Sequence, residues 1–312
     1  MASPIVIVGS LNMDFVARVD ALPRPGQTIL GDDFQMFPGG KGANQACAAA
    51  RLGGRVRMVG RVGGDIFGRE LRNSLDTSRV DVSAVIRTQG TATGVGLIFV
   101  DARGQNMIVV AAGANSALTA ADVEQALSNM TSGYLLIQLE TPIETVVAAA
   151  SLAHWHGVTV ILDPAPARVL SRDLLASVDI ITPNESEALA LLGREGTTIA
   201  LKDAPEIARA VRELGPGTAI VKLGANGAFL STASAAAHFP APRVEVVDVT
   251  AAGDTFNGAL AVALSEGKDI SEAIAFANVA AALSVTRSGA QASLPARADV
   301  DARMVSAPGG SS

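Results

Sequence analysis

The chain has 312 residues, of which 49% are hydrophobic, 17% charged and 4% aromatic, and its formal net charge is −6. This composition is typical of a soluble globular protein that can bury a large core. An acidic chain with few aromatic side chains lacks both the positive field and the stacking platforms that nucleic acids require, so no nucleic-acid partner is expected.

A single cysteine and three histidines restrict the covalent and metal chemistry. Cys47 has no partner for an internal disulfide, which favours a reducing, cytoplasmic compartment. No histidine has a neighbour at zinc-ligand spacing. The first residues lack a signal-peptide pattern, and the longest uncharged apolar stretch, 145–162, is interrupted by His154, His156 and Gly157. Neither a leader nor a membrane span is therefore predicted.

Short apolar, β-branched runs alternate with helical segments along the chain. Because these runs lack a clean alternation of apolar and polar residues, they predict buried parallel strands. Strands joined by helices form a sheet with helices on both faces, so the predicted fold class is α/β, a three-layer α/β/α sandwich with a mostly parallel sheet. The predicted strands are 5–8, 57–62, 134–139, 158–162, 180–182 and 219–223, and the predicted helices include 42–52, 143–154, 185–191 and 204–213.

Two segments break this alternation. Residues 14–19 and 28–37 have strand character on either side of a PRPG turn, and 94–100 and 106–111 predict a hairpin around DARG. Together they predict a small four-stranded β lid that closes on ligands at the sheet edge; plain edge hairpins are the alternative. The predicted lid is 12–37 and 91–112, the α/β domain is 1–11, 38–90 and 113–305, and 306–312 form a disordered tail.

The segment 248–258, DVTAAGDTFNG, is the most informative motif. Its small residues predict a turn leading into a helix, and the first N–H groups of a helix bind anions. Asp254, near this helix start, would repel a phosphate but can take a proton from a hydroxyl group that attacks one. The pairing indicates phosphoryl transfer to an alcohol, with a simple helix cap as the alternative.

The segment 37–44, FPGGKGAN, is a glycine-rich turn that opens a helix but lacks the spacing of an ATPase phosphate loop. Exposed backbone with Lys41 and Asn44 as donors suits a polyol. Asn12 and Asp14 follow the first strand and Glu140 follows another, which is where open α/β sheets bind ligands. An ordinary turn and solvated loop residues remain the alternatives.

Two further motifs follow predicted strands. In the segment 184–187, NESE, Asn184 is expected near a phosphate and Glu187 near a magnesium-bound water, although a helix cap explains the same residues. In the segment 223–227, LGANG, the glycines leave room for a nucleotide beside the backbone.

Together these motifs resemble the ribokinase group of the phosphofructokinase-B-type carbohydrate kinase family. The resemblance covers nearly the whole chain, from VGSLNMD at 8–14 to TRSGAQ at 286–291, and its most specific signatures are 39–45 and 248–258. QLE at 138–140, DPAPA at 163–167 and ITPNE at 181–185 are also similar. The resemblance implies a ribokinase-like fold with a four-stranded lid, and ATP-dependent phosphorylation of the 5-hydroxyl group of D-ribose.

The same resemblance implies roles for individual residues. Asp254 would be the general base, and the backbone of Ala251, Ala252 and Gly253 would form the anion hole for the transferred phosphoryl group. Ribose would be bound by Asn12, Asp14, Gly40, Lys41, Gly42, Ala43, Asn44 and Glu140. ATP would be bound by Asn184, Lys222, Leu223, Gly224, Ala225, Asn226, Gly227 and Asn278, with Glu187 serving Mg²⁺.

The resemblance further implies an activating monovalent cation, K⁺, and a homodimer joined through the lid. Lys222 departs from the family pattern, since a hydroxyl residue is common at its position; contact with phosphate and mere cover of the nucleotide's edge both remain open. The residues that match the cation site, several through backbone carbonyl groups, are Asp248, Thr250, Ser284, Arg287, Gly289 and Ser293.

The alternatives are a kinase of the same fold for 2-deoxyribose, fructose or a nucleoside, and, more remotely, a non-catalytic sugar- or nucleotide-binding regulator. Asp14 discriminates in principle, because a carboxylate that bonds the 2- and 3-hydroxyl groups is left partly unpaired by deoxyribose, at a cost of roughly 1–3 kcal/mol. The presence of Asp254 argues against a regulator that has lost its base.

Overall fold

The structure, a computed structural model, describes residues 2–306. It contains a nine-stranded sheet, which is mostly parallel, and a separate four-stranded sheet. Helices cover both faces of the large sheet and form two buried clusters. The predicted three-layer α/β/α fold class is therefore confirmed.

The elements of the described chain run in the following order. The strands are β1 (Ile5–Val8), β2 (Asn12–Val19), β3 (Asp33–Gly39), β4 (Val56–Gly63), β5 (Asp81–Thr88), β6 (Gly94–Asp101), β7 (Asn106–Ala111), β8 (Tyr134–Ile137), β9 (Thr159–Leu162), β10 (Ile180–Ile181), β11 (Thr218–Lys222), β12 (Ala228–Ser231) and β13 (Ala236–Phe239). The helices are α1 (Lys41–Arg51), α2 (Ile66–Thr77), α3 (Ala120–Leu127), α4 (Ile143–Trp155), α5 (Arg172–Ala176), α6 (Glu185–Leu191), α7 (Ala204–Arg212), α8 (Ala252–Ser265), α9 (Ile270–Ser284), α10 (Ala290–Ser293) and α11 (Arg297–Ser306).

The large sheet has the order β13-β12-β11-β10-β9-β8-β1-β4-β5. Its strand β1 is buried at every position: Ile5 and Ile7 pack into one cluster, whereas Val6 and Val8 pack into the other. Full burial of each such side chain contributes roughly 1.5–3 kcal/mol. Strands β4 and β5 lie on one side of β1, and strands β8 to β13 lie on the other, so the strand order reverses beside β1. A crevice forms at the carboxyl ends of the strands at such a point.

The small sheet has the order β3-β2-β6-β7, in which β2 pairs with β6 in parallel and the other pairs are antiparallel. Because β2 begins four residues after β1 ends, this sheet starts at the carboxyl edge of β1. Phe15 of β2 packs edge-on against Phe67 of α2, with ring centroids 5.3 Å apart, which holds the small sheet against the large one.

The structure differs from the predicted elements at several places. Strand β3 covers Asp33–Gly39 rather than 28–37, because Pro38 and Gly39 continue the ladder opposite Met13 and Asn12. Three strands were not predicted: the half-exposed edge strands β5 and β13, and the inner strand β12, which is buried but only four residues long. The predicted tail falls mostly outside the described residues, as α11 runs to Ser306.

None of the helices within residues 2–306 has the length and apolarity needed to cross a bilayer.

Candidate active site

Asp254 lies in the first turn of α8, after Ala251, whose φ of 59° places it in the left-handed region. The carboxyl group is 6% exposed and faces α1. Asn44 Nδ2 donates to its Oδ2 at 3.0 Å, and Gln45 Nε2 donates to its Oδ1 at 3.1 Å. The carboxylate therefore faces the predicted sugar motif, and Ala251 occupies the cap position of α8.

Two carboxyl groups on the sugar side of the site have raised pKa values. Burial raises the pKa of Asp254 to about 6, with a further increase from Asp163, while Lys41 and the amide hydrogen bonds act in the opposite direction. Burial, followed by the charges of Glu140 and Asp254, raises the pKa of Asp14 to about 7. A carboxyl group with such a pKa can exchange a proton close to neutral pH, as a general base must.

The Asp14 carboxylate lies over two glycines of the small sheet. A Cβ atom at Gly39 on β3 or at Gly96 on β6 would collide with its oxygens. Asn12 lies two residues earlier on β2 and so projects from the same face. The absence of side chains at the two glycines thus leaves this face to Asn12 and Asp14, both predicted to bind ribose.

The buried Asn115, in the 3₁₀ turn Gly113–Ala117, fixes the orientation of Asn12. Asn115 accepts from Leu11 N at 2.9 Å and donates to Leu11 O at 3.0 Å, so its own amide has one orientation. Asn115 Nδ2 also donates to Asn12 Oδ1 at 2.7 Å. The oxygen of Asn12 is therefore occupied, and its NH₂ group is the donor left for a ligand.

Glu140 joins the start of α1 to the end of β1. Its Oε2 accepts from Ser10 Oγ at 2.5 Å and from Lys41 N at 3.1 Å. Gly40, with φ of 89°, packs closely on the backbone that follows β1, and a Cβ at Gly40 would lie 2.7 Å from Asn12 N. Glu140 and Gly40 are thereby held beside Asn12, as their predicted sugar-binding roles require.

The two residues that follow Lys41 are held by the hydroxyl group and the backbone carbonyl group of Ser10. Ala43 N donates to Ser10 O at 3.0 Å, and Gly42 N lies 3.4 Å from Ser10 Oγ. A Cβ at Gly42 would lie 2.7 Å from the backbone of Gly9, so α1 approaches β1 as closely as the chain allows. The N–H groups of these two predicted ribose ligands are thus already paired.

Lys41 brings a positive charge among the acidic groups. Burial alone lowers the pKa of its ammonium group, but the charges of Asp254, Asp163 and Glu140 outweigh burial and raise it above the usual range. The side chain therefore stays protonated at neutral pH. It can neutralise charge that develops between a sugar hydroxyl and a phosphate.

Asn184 and Glu187 form a capping box at the start of α6. Asn184 Oδ1 accepts from Glu187 N at 2.8 Å, and Glu187 Oε2 accepts from Asn184 N at 2.8 Å. Burial, with a contribution from Asp163, raises the pKa of Glu187, although Lys222, Asn184 and Lys41 oppose the shift. The predicted cap is thus present, and it holds both side chains beside the cationic groups of the site.

The turn after β11 is closed by hydrogen bonds and backbone contacts. Leu223 N donates to Gly227 O at 2.7 Å, and a Cβ at Gly227 would collide with Phe239 O. Asn278 Nδ2 donates to the same carbonyl oxygen at 2.9 Å. Gly224 has open space around it, so room for a ligand lies on its side of the turn. Ala225 and Asn226 complete the turn.

Comparison with known proteins identifies the family. Residues 2–297 match the family described as pfkB family carbohydrate kinase. The chain belongs to this family. It is 42% identical over 298 residues to the ribokinase of Haemophilus influenzae, covering 95% of this chain and 97% of that protein. It is 36% identical over 293 residues to the deoxyribokinase of Salmonella typhi, covering 93% of this chain and 95% of that protein.

A solved structure of Arabidopsis thaliana ribokinase complexed with ribose and ATP has the same fold as this pfkB-family chain. The TM-score is 0.88 at 34% identity, and the superposition covers 97% of this chain and 98% of that chain.

In this carbohydrate kinase, Asp248 ties together the loops before α8 and α10. Its Oδ1 accepts from Thr250 N at 2.9 Å and Thr250 Oγ1 at 2.6 Å, and its Oδ2 accepts from Gly289 N at 2.9 Å. These hydrogen bonds lower the pKa of Asp248 against the opposing effect of burial. The structure thus brings three residues of the predicted cation set together around one ionised carboxylate.

The side chains of the other predicted cation residues have partners elsewhere. Ser284 Oγ donates to Ala281 O at 2.8 Å and Ser293 Oγ to Ala290 O at 2.9 Å, each within its own helix. Arg287 lies 4.0 Å from Asp299 at the surface. Because these side chains are engaged, the backbone carbonyl groups are the atoms expected to bind a cation, as the resemblance implies for several of these residues.

Several residues of the site had no predicted role. Gln45 donates to both Asp254 and Asp163, and Gln138 Nε2 donates to Gln45 Oε1 at 2.6 Å. Gln45 and Asp163 belong to recognised motifs, so the motifs marked their positions without indicating what they contact. The other site residues for which no role was predicted are Ser10, Gly96 and Asn115.

Proposed function

We propose that this chain is a ribokinase, which transfers the γ-phosphoryl group of ATP to the 5-hydroxyl group of D-ribose. The observation that carries the proposal is the buried Asp254 at the start of α8, within hydrogen-bond distance of the sugar motif on α1. Membership of the pfkB family and the similarity to ribokinases over nearly the whole chain support it.

Asp254 takes the proton of the 5-hydroxyl group, and the sugar oxygen forms a bond to the γ-phosphorus. The bond between that phosphorus and the bridging oxygen of ATP breaks, and its electron pair remains on ADP. The backbone N–H groups of Ala251, Ala252 and Gly253, of which that of Ala252 donates to Val249 O at 3.2 Å in the free protein, turn to the phosphoryl group and, with the charge of Lys41, stabilise it during transfer. Positioning and charge neutralisation thus provide most of the catalysis.

Ribose is held by Asp14, which accepts from two adjacent sugar hydroxyl groups, and by the NH₂ group of Asn12. Glu140 shares this side of the site and supplies further acceptor capacity. Because the ionised form of Asp14 binds best, its raised pKa makes sugar binding sensitive to pH.

We further propose that Mg²⁺ accompanies the nucleotide, held through water by Glu187. Residues 2–306 contain no group of three His, Cys, Asp or Glu side chains arranged to hold a metal, so most of its ligands would be water and phosphate oxygens. Magnesium prefers such a set with one or two carboxylates, which Glu187 fits. The ion supplies charge neutralisation of the phosphates when bound.

A monovalent cation, K⁺, is proposed beside Asp248. The carboxylate is ionised and borders two loops whose carbonyl groups are oxygen donors of the kind this ion binds, so the residues fit. When bound, the ion supplies charge that orders the loop 248–251 before the anion hole.

We also propose a homodimer that forms through the small sheet, and a cytoplasmic location. One face of the small sheet carries exposed apolar side chains, and such a face favours a protein partner. By register these are Phe34, Met36, Leu97, Met107 and Val109, which are 42–58% exposed.

The proposed cytoplasmic location rests on Cys47, a buried free thiol with no disulfide partner.

The experiment that tests the proposed activity is a sugar panel with ATP, Mg²⁺ and K⁺. The highest kcat/KM is expected for D-ribose, and 2-deoxyribose should be poorer by about 5- to 150-fold through a higher KM, because it leaves Asp14 with an unpaired oxygen. A higher kcat/KM for 2-deoxyribose would instead assign the chain the activity named for its Salmonella relative.

A further inference from the structure

Lys222 ends β11 and lies between the nucleotide side of the site and the start of α8. Its Nζ is 2.9 Å from Asp163 Oδ1, and the two side chains are 12% and 3% exposed. A Cβ placed on Gly253 would lie 3.4 Å from the same nitrogen. The ammonium group therefore borders the first turn of α8, where the N–H groups of the anion hole begin.

A continuous chain of polar contacts connects this ammonium group to the general base. Asp163 Oδ2 accepts from Gln45 Nε2 at 3.0 Å, and the same nitrogen donates to Asp254 Oδ1 at 3.1 Å. Gln45 Oε1 is occupied by Gln138, so neither the amide of Gln45 nor the carboxylate of Asp163 is free to turn. The position of Lys222 is thus fixed relative to Asp254.

The surroundings of Lys222 are rich in negative charge. Lys222 pairs with Asp163, and its charge opposes the rise in pKa that burial causes at Glu187. A buried ion pair that served only to balance Asp163 would be a weak source of stability, because desolvation offsets most of the attraction. A cation beside the first turn of a helix is instead the arrangement that binds a phosphoryl group.

We propose that Lys222 is a catalytic residue that contacts the phosphoryl group transferred from ATP, and that Asp163 positions it. In the transfer step the ammonium group neutralises charge on the phosphoryl oxygens while the 5-oxygen of the sugar bonds to phosphorus and the bond to ADP breaks. Lys222 keeps its protons throughout, and the sugar proton goes to Asp254. This inference rests on the proposed kinase function but does not depend on which sugar is phosphorylated.

The test compares nucleotide affinities by titration calorimetry in the absence of sugar, using ATP, ADP and AMP. Lys222→Met should weaken ATP binding about tenfold or more, weaken ADP less, and leave AMP nearly unchanged, because a charge-assisted contact to the terminal phosphate is lost. Lys222→Arg, which retains the charge, should fall between Met and the wild type and guards against a folding defect. Lys202→Met removes an exposed lysine and should change none of the affinities.

The double variant Lys222→Met/Asp163→Asn separates catalysis from charge balance. The asparagine introduced at position 163 can still accept from Gln45, and the unpaired carboxylate is gone. If Lys222 acts on the phosphoryl group, kcat with the best sugar stays as low as in Lys222→Met. Recovery of wild-type kcat in the double variant, or an equal loss of affinity for ATP and AMP, would overturn the proposal. A loss confined to ATP in a protein that fails to phosphorylate ribose would keep this proposal and reject ribose as the substrate.

Discussion

Asp14 and Asp254 have raised pKa values of about 7 and about 6, and both must be ionised to act as a sugar ligand and as a base. We expect kcat/KM for ribose to rise as the pH increases from 5 to 8, with the midpoint of the rise near the higher value, about 7, because both groups must be ionised. The control is kcat/KM for ATP at saturating ribose, which should depend less on Asp14. A profile that is flat over this range would contradict the assigned roles.

The same shifts predict the opposite trend for the stability of the free protein. A folded-state pKa above the usual Asp value of 3.8 means that folding favours the protonated acid. This stability is present at low pH and is lost as the pH rises through the folded pKa values, so the part due to Asp14 declines between pH 4 and 7. Asp14→Asn should therefore raise Tm at pH 8 while it abolishes sugar binding. An unchanged or lower Tm would contradict this expectation, because it would mean that folding does not disfavour the ionised carboxylate of Asp14.

Asn115 touches Asn12 and the backbone of Leu11. Asn115→Ala should raise KM for ribose by about 5- to 150-fold, because the Asn12 amide loses the donor that fixes its orientation. The KM for ATP should change little. Ser116→Ala alters the exposed neighbour, whose hydroxyl bonds only Gly113 O, and serves as the matched control. Equal changes in the two KM values would indicate general damage to the fold.

At the scale of elements, locally encoded features were predicted correctly. The β1 strand is a run of four fully buried β-branched residues, and α6 carries its own capping box in Asn184 and Glu187. Such signals need no distant partner. The edge strands β5 and β13 lack them, because alternate positions are exposed and the pattern weakens.

The contacts of the site could not be predicted, because they depend on how helices pack. Gly258 allows α8 to approach α1, since a Cβ there would lie 2.9 Å from Gln45 O and Ala49 N. This approach brings Gln45 to Asp254 across 209 residues of sequence. The motifs identified Asp254 and Asn44, but only the fold shows that Gln45 and Asp163 link the base to Lys222.

The loop before α8 gives a prediction about cations. Asp248→Asn removes the negative charge that borders the proposed K⁺ site while keeping an oxygen that Thr250 can bond. We expect wild-type activity to be higher in K⁺ than in Li⁺, and the variant to need more K⁺ for half-maximal activation. Asp173→Asn, an exposed change in α5, is the control. Equal wild-type activity in the two salts would eliminate the site.

At the scale of the whole molecule, the exposed face of the small sheet predicts assembly. Leu97, 42% exposed, lies in the middle of this face between Phe15 and Val109. Leu97→Glu should shift a dimer to monomer in sedimentation, because burying a charge in an apolar interface is costly. Trp155→Glu changes an exposed apolar residue on α4, away from the small sheet, and should leave the assembly unchanged. A wild-type protein that is monomeric at all concentrations would contradict the proposed dimer.

The proposed reaction depends most on Asp254, which accepts the proton of the ribose 5-hydroxyl group during phosphoryl transfer. The most direct measurement incubates the wild type and Asp254→Asn with ATP, Mg²⁺, K⁺ and D-ribose, identifies the product by phosphorus NMR and measures ribose affinity by calorimetry. Ribose 5-phosphate is expected from the wild type, and the variant should lose a factor of about 10²–10⁴ in kcat with nearly unchanged ribose affinity. A different product, or a variant that keeps most of its turnover, would contradict it.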